Sequence, residues 1–163
     1  MITNINLAII GAGRWGFNHI KTAYGILGDG LSYVCDVSEG IGNRVQEIGK
    51  DILFTTDFGE VLKDENVNAV IIATSAETHF ELAKKAMYAR ENVLADKPIT
   101  LVSKEARELL EIADQKGLKL MVGHILLYHP AILKIKEMIS KGKLGKLQYV
   151  YSNRLNLGAI RKE

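Results

Sequence analysis

With a single cysteine, Cys35, in 163 residues, the chain has no intrachain disulfide, and this fits a reducing compartment. Cys35 sits inside an apolar run and reads as a small packed hydrophobe rather than a reactive thiol. The four histidines are scattered, and no cysteine or carboxylate cluster joins them at ligand spacing, so no metal site is expected. Lys and Arg number 21 against 19 Asp and Glu, a formal net charge of +2, and no basic stripe carries interleaved aromatics. A nucleic-acid partner is therefore not expected. No apolar run approaches bilayer length, and the amino terminus lacks a basic region followed by an apolar one, so no membrane partner is expected either. Internal repeats and low-complexity segments are missing too. What remains is an ordinary globular composition, 47% hydrophobic and 25% charged, enough for one sizeable domain or one plus a piece of another. On these grounds the chain reads as soluble and cytoplasmic.

Against this plain background one stretch stands out, Gly11-Ala12-Gly13-Arg14-Trp15-Gly16, directly after the apolar run 5–10. The next apolar run, 31–35, ends in Asp36, twenty residues past the last glycine. Strand, turn with three spaced glycines, helix start and distant carboxylate together form the dinucleotide-binding fingerprint. Gly11 permits the tight turn, Gly13 lets backbone approach a pyrophosphate, and Gly16 lets helix pack closely on strand. Free N–H groups and the helix dipole then meet the phosphates. Asp36 suits two hydrogen bonds from an adenine-ribose diol and would repel a 2′-phosphate, with no basic residue before Arg44, so NAD is favoured over NADP. A turn-starting Asp at a strand end is the plainer account of the same residue. Arg14 and Trp15 either flank the pyrophosphate and adenine or are an exposed arginine and a packed indole.

Apolar, β-branched runs alternate with helical patterns along the chain. Strands are expected at 5–10, 31–35, 52–55, 68–73, 92–95 and 118–122, and helices at 14–27, 40–48, 57–63, 78–89 and 103–116. Asp57 with Glu60 and Thr78 with Glu81 have capping-box spacing, and Ser103 can cap the fifth helix. In that helix Ala106, Leu109, Leu110 and Ala113 form an apolar stripe, Lys104, Arg107, Glu108 and Glu111 face water, and Gly117 ends it. Strands separated by helices imply an α/β, doubly wound parallel sheet covered on both faces, spanning residues 1–123.

Residues 124–163 break the rhythm. Pro130 suits the first position of a helix that closes at Lys141-Gly142, with Lys134, Lys136, Lys141, Lys143 and Lys146 on a basic stretch that either faces water or meets a diphosphate. An alternating pattern follows, with Leu147, Tyr149, Tyr151, Leu155 and Leu157 on one face and Arg154 and Asn156 on the other, as in a strand. A strand with one apolar face needs a sheet and a covering layer, which suggests the start of an incomplete α+β domain.

In an open α/β sheet, ligands sit beyond the carboxyl ends of the strands. Ala73-Thr74-Ser75, Asp96-Lys97-Pro98 and Gly123-His124 should converge there with the glycine turn. Together with His79 at the following helix start, these residues resemble the glucose–fructose oxidoreductase/inositol dehydrogenase (Gfo/Idh/MocA) family, over essentially the whole chain. The family pattern has A-T-P where this chain has Ala73-Thr74-Ser75, and E-K-P where it has Asp96-Lys97-Pro98. Residues 123–130 and 153–158 look like members that oxidise nucleotide sugars, of the UDP-N-acetylglucosamine 3-dehydrogenase type. The resemblance implies a Rossmann NAD-binding domain, followed by the first helix and strand of a substrate domain whose sheet often makes a homo-oligomer face.

The implied reaction is hydride transfer between NAD and a secondary alcohol of a sugar, with Lys97 as the catalytic residue assisting proton removal. Thr74, Ser75, His79, Asp96 and Lys97 join Gly11, Gly13, Arg14, Trp15, Gly16 and Asp36 as cofactor-binding candidates, and His124, Arg154 and Asn156 as substrate-binding ones. Two of these have plain alternatives: His79 as a satisfied core histidine, and Arg154 with Asn156 as an exposed polar sheet face. His129 reads as a residue that starts a helix. Because the implied family draws further substrate groups from its second domain, the 163-residue chain is expected to bind cofactor and turn over poorly. The competing readings are an NAD-binding module or redox sensor without chemistry, which would have no need of Lys97, and a methyl-transfer enzyme using the same turn.

Overall fold

The structure, a computed structural model, describes residues 5–153 and 155. The chain divides into two compact units, residues 1–124 and 125–163. In the first unit six parallel strands, β1 (Leu7–Ile10), β2 (Leu31–Cys35), β3 (Leu53–Thr55), β4 (Ala69–Ile72), β5 (Asn92–Ala95) and β6 (Leu120–Val122), form one sheet in the order β3-β2-β1-β4-β5-β6. The order reverses between β1 and β4. Five helices connect the strands: α1 (Arg14–Leu27), α2 (Gly42–Gln46), α3 (Phe58–Lys63), α4 (Ala76–Tyr88) and α5 (Ser103–Lys116).

Strand alternation sorts the core into two layers. Ala8, Ile10, Val70, Ile72, Val93 and Ala95 face one way and pack with Val61, Ala83, Met87, Leu109 and Ile112 of α3, α4 and α5. Leu7, Ile9 and Val34 face the other way and pack with Phe17, Ile20 and Ala23 of α1 and Val45 of α2. Cover on both faces is complete at β1, whose four residues are all buried, and thins at the sheet's edges, where Leu53 of β3 is exposed. No helix of the first unit follows β6 on the α1 side, so Met121 is exposed there. Cys35 is buried, and desolvation pushes its thiol up to about 11, as expected of a packed hydrophobe.

The helix caps differ in detail from the sequence expectation. Asp57 caps α3 by accepting from the Gly59 N–H at 2.7 Å. Glu60, however, does not return to Asp57 N–H: its carboxylate accepts from the Thr55 hydroxyl, and Thr55 Oγ1 itself accepts from Asp57 N–H at 3.1 Å. Thr78 is inside α4 rather than its cap, because the helix starts two residues earlier, and its hydroxyl bonds back to the Ser75 carbonyl at 2.8 Å. Ser103 is likewise the first helical residue of α5, after Val102. On α5 the buried stripe is Leu109, Ile112 and Ala113. Leu110 is exposed, and Glu108 pairs with Lys84 of α4 at 2.6 Å instead of standing free. Gly117 ends α5 in the left-handed conformation, φ +67°.

In the second unit α6 (Pro130–Ser140) starts at His129, whose Nδ1 accepts from Ala131 N–H at 3.2 Å. Glu137 bridges Lys134 and Lys141 at 2.8 and 2.7 Å, so part of the basic stretch is an exposed, paired helix face. The strand expected from residue 147 onward is not formed. Residues 147–153 have no regular structure, and Leu147, Tyr149, Tyr151 and Leu155 are exposed. Alternation selects which face a strand buries, but a strand exists only when a neighbour takes its backbone groups, and among the described residues none does. Arg154 and Asn156 lie outside the described residues.

Two positions in the first unit yield direct tests. A Cβ built at Gly16 would lie 1.9 Å from the Gly11 carbonyl oxygen, so Gly16→Ala must push α1 off β1. Thermal denaturation should show a loss of stability of about 3 kcal/mol, at the upper end of overpacking costs; an unchanged Tm would mean the helix does not sit this close.

Glu91, just before β5, is buried with Oε2 unpartnered, and desolvation pushes its carboxyl up to about 7 from 4.5. A carboxyl raised in the folded state costs nothing while both states are protonated. Stability then falls as pH rises from the unfolded value through the folded one, and levels off above it. Glu91→Gln should therefore be more stable than the parent chain by on the order of 1–3 kcal/mol at pH 8, with the difference shrinking towards pH 4.5. A pH-independent difference in Tm would contradict this.

Candidate functional site at the carboxyl ends of the strands

The sheet's hydrogen-bond ladder runs one residue past the strands. Gly11 N–H donates to Cys35 O at 2.8 Å, Ala73 to Ile10 O at 2.8 Å, Asp96 to Ile72 O at 2.9 Å and Gly123 to Ala95 O at 2.8 Å. Asp36 N–H donates to Thr55 O at 3.2 Å. The segments expected to converge therefore start at one level, side by side in the order Asp36, Gly11, Ala73, Asp96, Gly123. Strand spacing puts Asp36 and Asp96 about 14 Å apart along this row, with the glycine turn and the reversal of strand order between them.

The glycine turn has the shape required of a phosphate cradle. Gly11 has φ +93°, and a Cβ there would meet Ala73 backbone atoms and Thr74 Cγ2 at 2.8 to 2.9 Å. At Gly13, in contrast, a Cβ would meet nothing within 4 Å, so this glycine is not required by any protein neighbour and leaves the approach to the backbone open. α1 begins with no side-chain cap at Gly13 and no acidic residue in its first turn. The first N–H groups of a 14-residue helix therefore point outward without an internal partner, at the positive end of its dipole. Arg14 and Trp15 are exposed beside them, and Trp15 is 52% accessible, which rules out the packed-indole alternative.

Asp36 closes one end of the row. Its Oδ2 accepts from Ala12 N–H at 2.6 Å and its Oδ1 from Ser38 N–H at 2.9 Å. The carboxylate thus ties the glycine turn to the end of β2, as in the plainer Asx-turn account. Each oxygen keeps a further lone pair for a ribose hydroxyl, so the two roles are compatible.

The other end is framed by two histidines. His79 is fully buried, with Nδ1 2.7 Å from the Pro98 carbonyl and Nε2 3.1 Å from the Thr74 carbonyl. It stands as a strut between the ends of β4 and β5, with both ring nitrogens engaged. Thr74 Oγ1 contacts Thr78 Oγ1 at 2.7 Å, and Ser75 is exposed at the start of α4. Asp96 Oδ1 lies 3.2 Å from His19 Nε2 on α1, and both side chains are about a quarter exposed. Lys97, between the two anchored residues Asp96 and Pro98, is exposed and has no hydrogen bond or ion pair among the described residues. The Lys97–Pro98 peptide is cis. His124 is exposed just past β6.

The sequence reading missed His19. Its signal was present, since Gly16, His19, Ile20 and Ala23 fall at the spacing of one helix face, which α1 turns to the sheet. Among the described residues no group of three His, Cys, Asp or Glu side chains could hold a metal ion. No helix there is long and apolar enough to cross a membrane.

The arrangement can be set beside known proteins. The chain is 40% identical over 102 residues to the uncharacterized oxidoreductase YhhX of Escherichia coli K12, a match covering 63% of this chain and 30% of that one. It is 29% identical over 148 residues to scyllo-inositol 2-dehydrogenase (NAD(+)) of Bacillus subtilis 168, covering 89% and 43%. The crystal structure of GenD2 from gentamicin A biosynthesis in complex with NAD superposes with a TM-score of 0.79 at 29% identity, over 88% of this chain and 41% of that one. The chain thus spans less than half the length of these relatives. A family profile described as "Oxidoreductase family, NAD-binding Rossmann fold" matches residues 5–124, and with the glycine cradle, the strand order and Asp36 in place, the chain belongs to that Gfo/Idh/MocA oxidoreductase family.

Proposed function

We propose that this chain is the cofactor-binding part of an NAD-dependent dehydrogenase acting on a secondary alcohol of a sugar or cyclic polyol. One observation carries the reading: Lys97, with an exposed amine that has no partner among the described residues and can accept a proton as the free base, projects from a turn anchored on both sides, in the row that also contains the glycine turn and Asp36. A module that only sensed the nucleotide would have no use for an ionisable group there. Residues 1–123 are assigned to the cofactor, and residues 124–163 to the start of the substrate domain, through which the complete protein would form a homo-oligomer. The buried free thiol of Cys35 fits a reducing, cytoplasmic setting.

NAD, when bound, supplies the hydride acceptor. The outward N–H groups of α1 hold its pyrophosphate, and Asp36 takes the adenine-ribose hydroxyls. Thr74, Ser75 and Asp96 border the opposite end, while Lys97 receives the alcohol proton as the carbonyl forms. His124, Arg154 and Asn156 are assigned to the substrate side. Support for a polyol comes from the inositol 2-dehydrogenases among the relatives, from Bacillus subtilis and Saccharopolyspora erythraea. Residues 123–130 and 153–158 favour a nucleotide-linked sugar such as a UDP-N-acetylhexosamine.

Trp15, the only tryptophan, reports binding directly. NADH should quench its emission, and NADPH should bind at least about tenfold more weakly because Asp36 repels a 2′-phosphate. Equal quenching by both would remove Asp36 from the assignment. In a panel of myo-inositol, scyllo-inositol and UDP-N-acetylglucosamine followed at the NADH absorbance, Lys97→Ala should abolish any turnover while NADH affinity stays within about threefold. Turnover surviving that substitution would overturn the role of Lys97.

A further inference from the structure

The turn that carries Lys97 poses a local problem. Asp96 is adjacent in sequence and carries the opposite charge, so the simplest fate of the two side chains is to pair with each other, which would occupy the amine. The structure shows a different arrangement. Asp96 Oδ1 is engaged by His19 Nε2 at 3.2 Å from α1, across the sheet's carboxyl edge. Gly123 makes room for it, since a Cβ there would lie 3.0 Å from Asp96 Oδ1. Asp96 N–H is held by Ile72 O at 2.9 Å, and the Pro98 carbonyl by His79 at 2.7 Å. The residues on either side of Lys97 are thus fixed from two different helices, α1 and α4, while Lys97 itself is left unpaired.

We infer that His19 is a positioning residue: by holding the Asp96 carboxylate it keeps that charge off Lys97 and aims the Lys97 turn at the cofactor's reactive end. His19 is also one turn along the helix whose first N–H groups form the phosphate cradle, so a single rigid element sets both the cradle and the turn. The inference deepens the proposed function and rests on Lys97 standing beside the bound cofactor. His79 is the permanent half of this clamp, buried with both nitrogens engaged. His19 and Asp96 form the accessible half, about a quarter exposed.

The test is acetylation footprinting of Lys97 on the 163-residue chain with and without NAD, read by mass spectrometry, with Lys119 at the far end of the sheet as internal reference. In the parent chain NAD should slow Lys97 acetylation at least about fivefold, and in His19→Ala that protection should fall towards none, while the NADH affinity read from Trp15 stays within about threefold. His19→Gln, whose amide can still donate to Asp96, should restore the protection. Asp96→Ala removes the charge together with the anchor, so it should lose the protection through loss of aiming alone, and the double variant should be no less protected than either single one. Asp96→Ala also keeps the test decisive should His19→Ala fail to fold. Undiminished protection in folded His19→Ala or Asp96→Ala would overturn the positioning role and leave the proposed function standing. Absence of protection in the parent chain would instead remove Lys97 from the cofactor and overturn both.

Discussion

The site depends on a contact that no side chain could make. Gly16 brings the first turn of α1 so close to the Gly11 carbonyl that a single methyl group would collide with it. This approach fixes α1 against β1, directs its unpartnered N–H groups over the carboxyl edge of the sheet, and places His19 one turn further along within reach of β5. Helix dipole, cradle and clamp therefore share one geometric origin. The opposite relation holds at Gly13, where nothing in the protein limits the space. One glycine serves the fold and the other leaves room for a ligand.

The carboxyl edge is also where the polar groups of the candidate site gather. In the sheet interior, backbone groups are paired in the ladder and both layers are apolar, so no side-chain chemistry is available there. At the edge the ladder runs out in a row of loop residues. Two of the side chains placed there rest on backbone groups: Asp36 accepts from two N–H donors, and His79 lies between two carbonyls. Backbone partners make rigid supports. They account for how Lys97 can remain unpaired on a surface turn whose flanking residues do not move freely. The polar group without such support, Glu91, lies at the other end of β5, where burial alone raises its carboxyl towards neutrality.

How much of this was legible in the sequence follows from the range of each interaction. All six strands and the five helices between them were readable, because apolar runs, glycine turns and periodicity act over a few residues. Helix starts were less readable. Thr78 and Ser103 look like caps by spacing, yet α4 and α5 begin before or at them, with Ser75 and Val102 in the capping positions. Lys97 and Asp36 could be singled out because a strand end is a local signal, whereas the His19–Asp96 contact joins residues 77 positions apart and has no local trace beyond a face on α1.

The sequence alone determined the element pattern, the glycine cradle with its carboxylate, and the membership of the chain in a nucleotide-binding class, because these follow from backbone freedom, side-chain volume and hydrophobic period. Only the tertiary structure decided that His79 is a buried strut, that Asp96 is claimed by α1 rather than by its neighbour Lys97, and that residues 147–153 form no strand despite their alternation. The reason is the same in each case. A pattern specifies which groups seek partners, but hydrogen-bond partners distant in sequence exist only once the sheet has set the strand order.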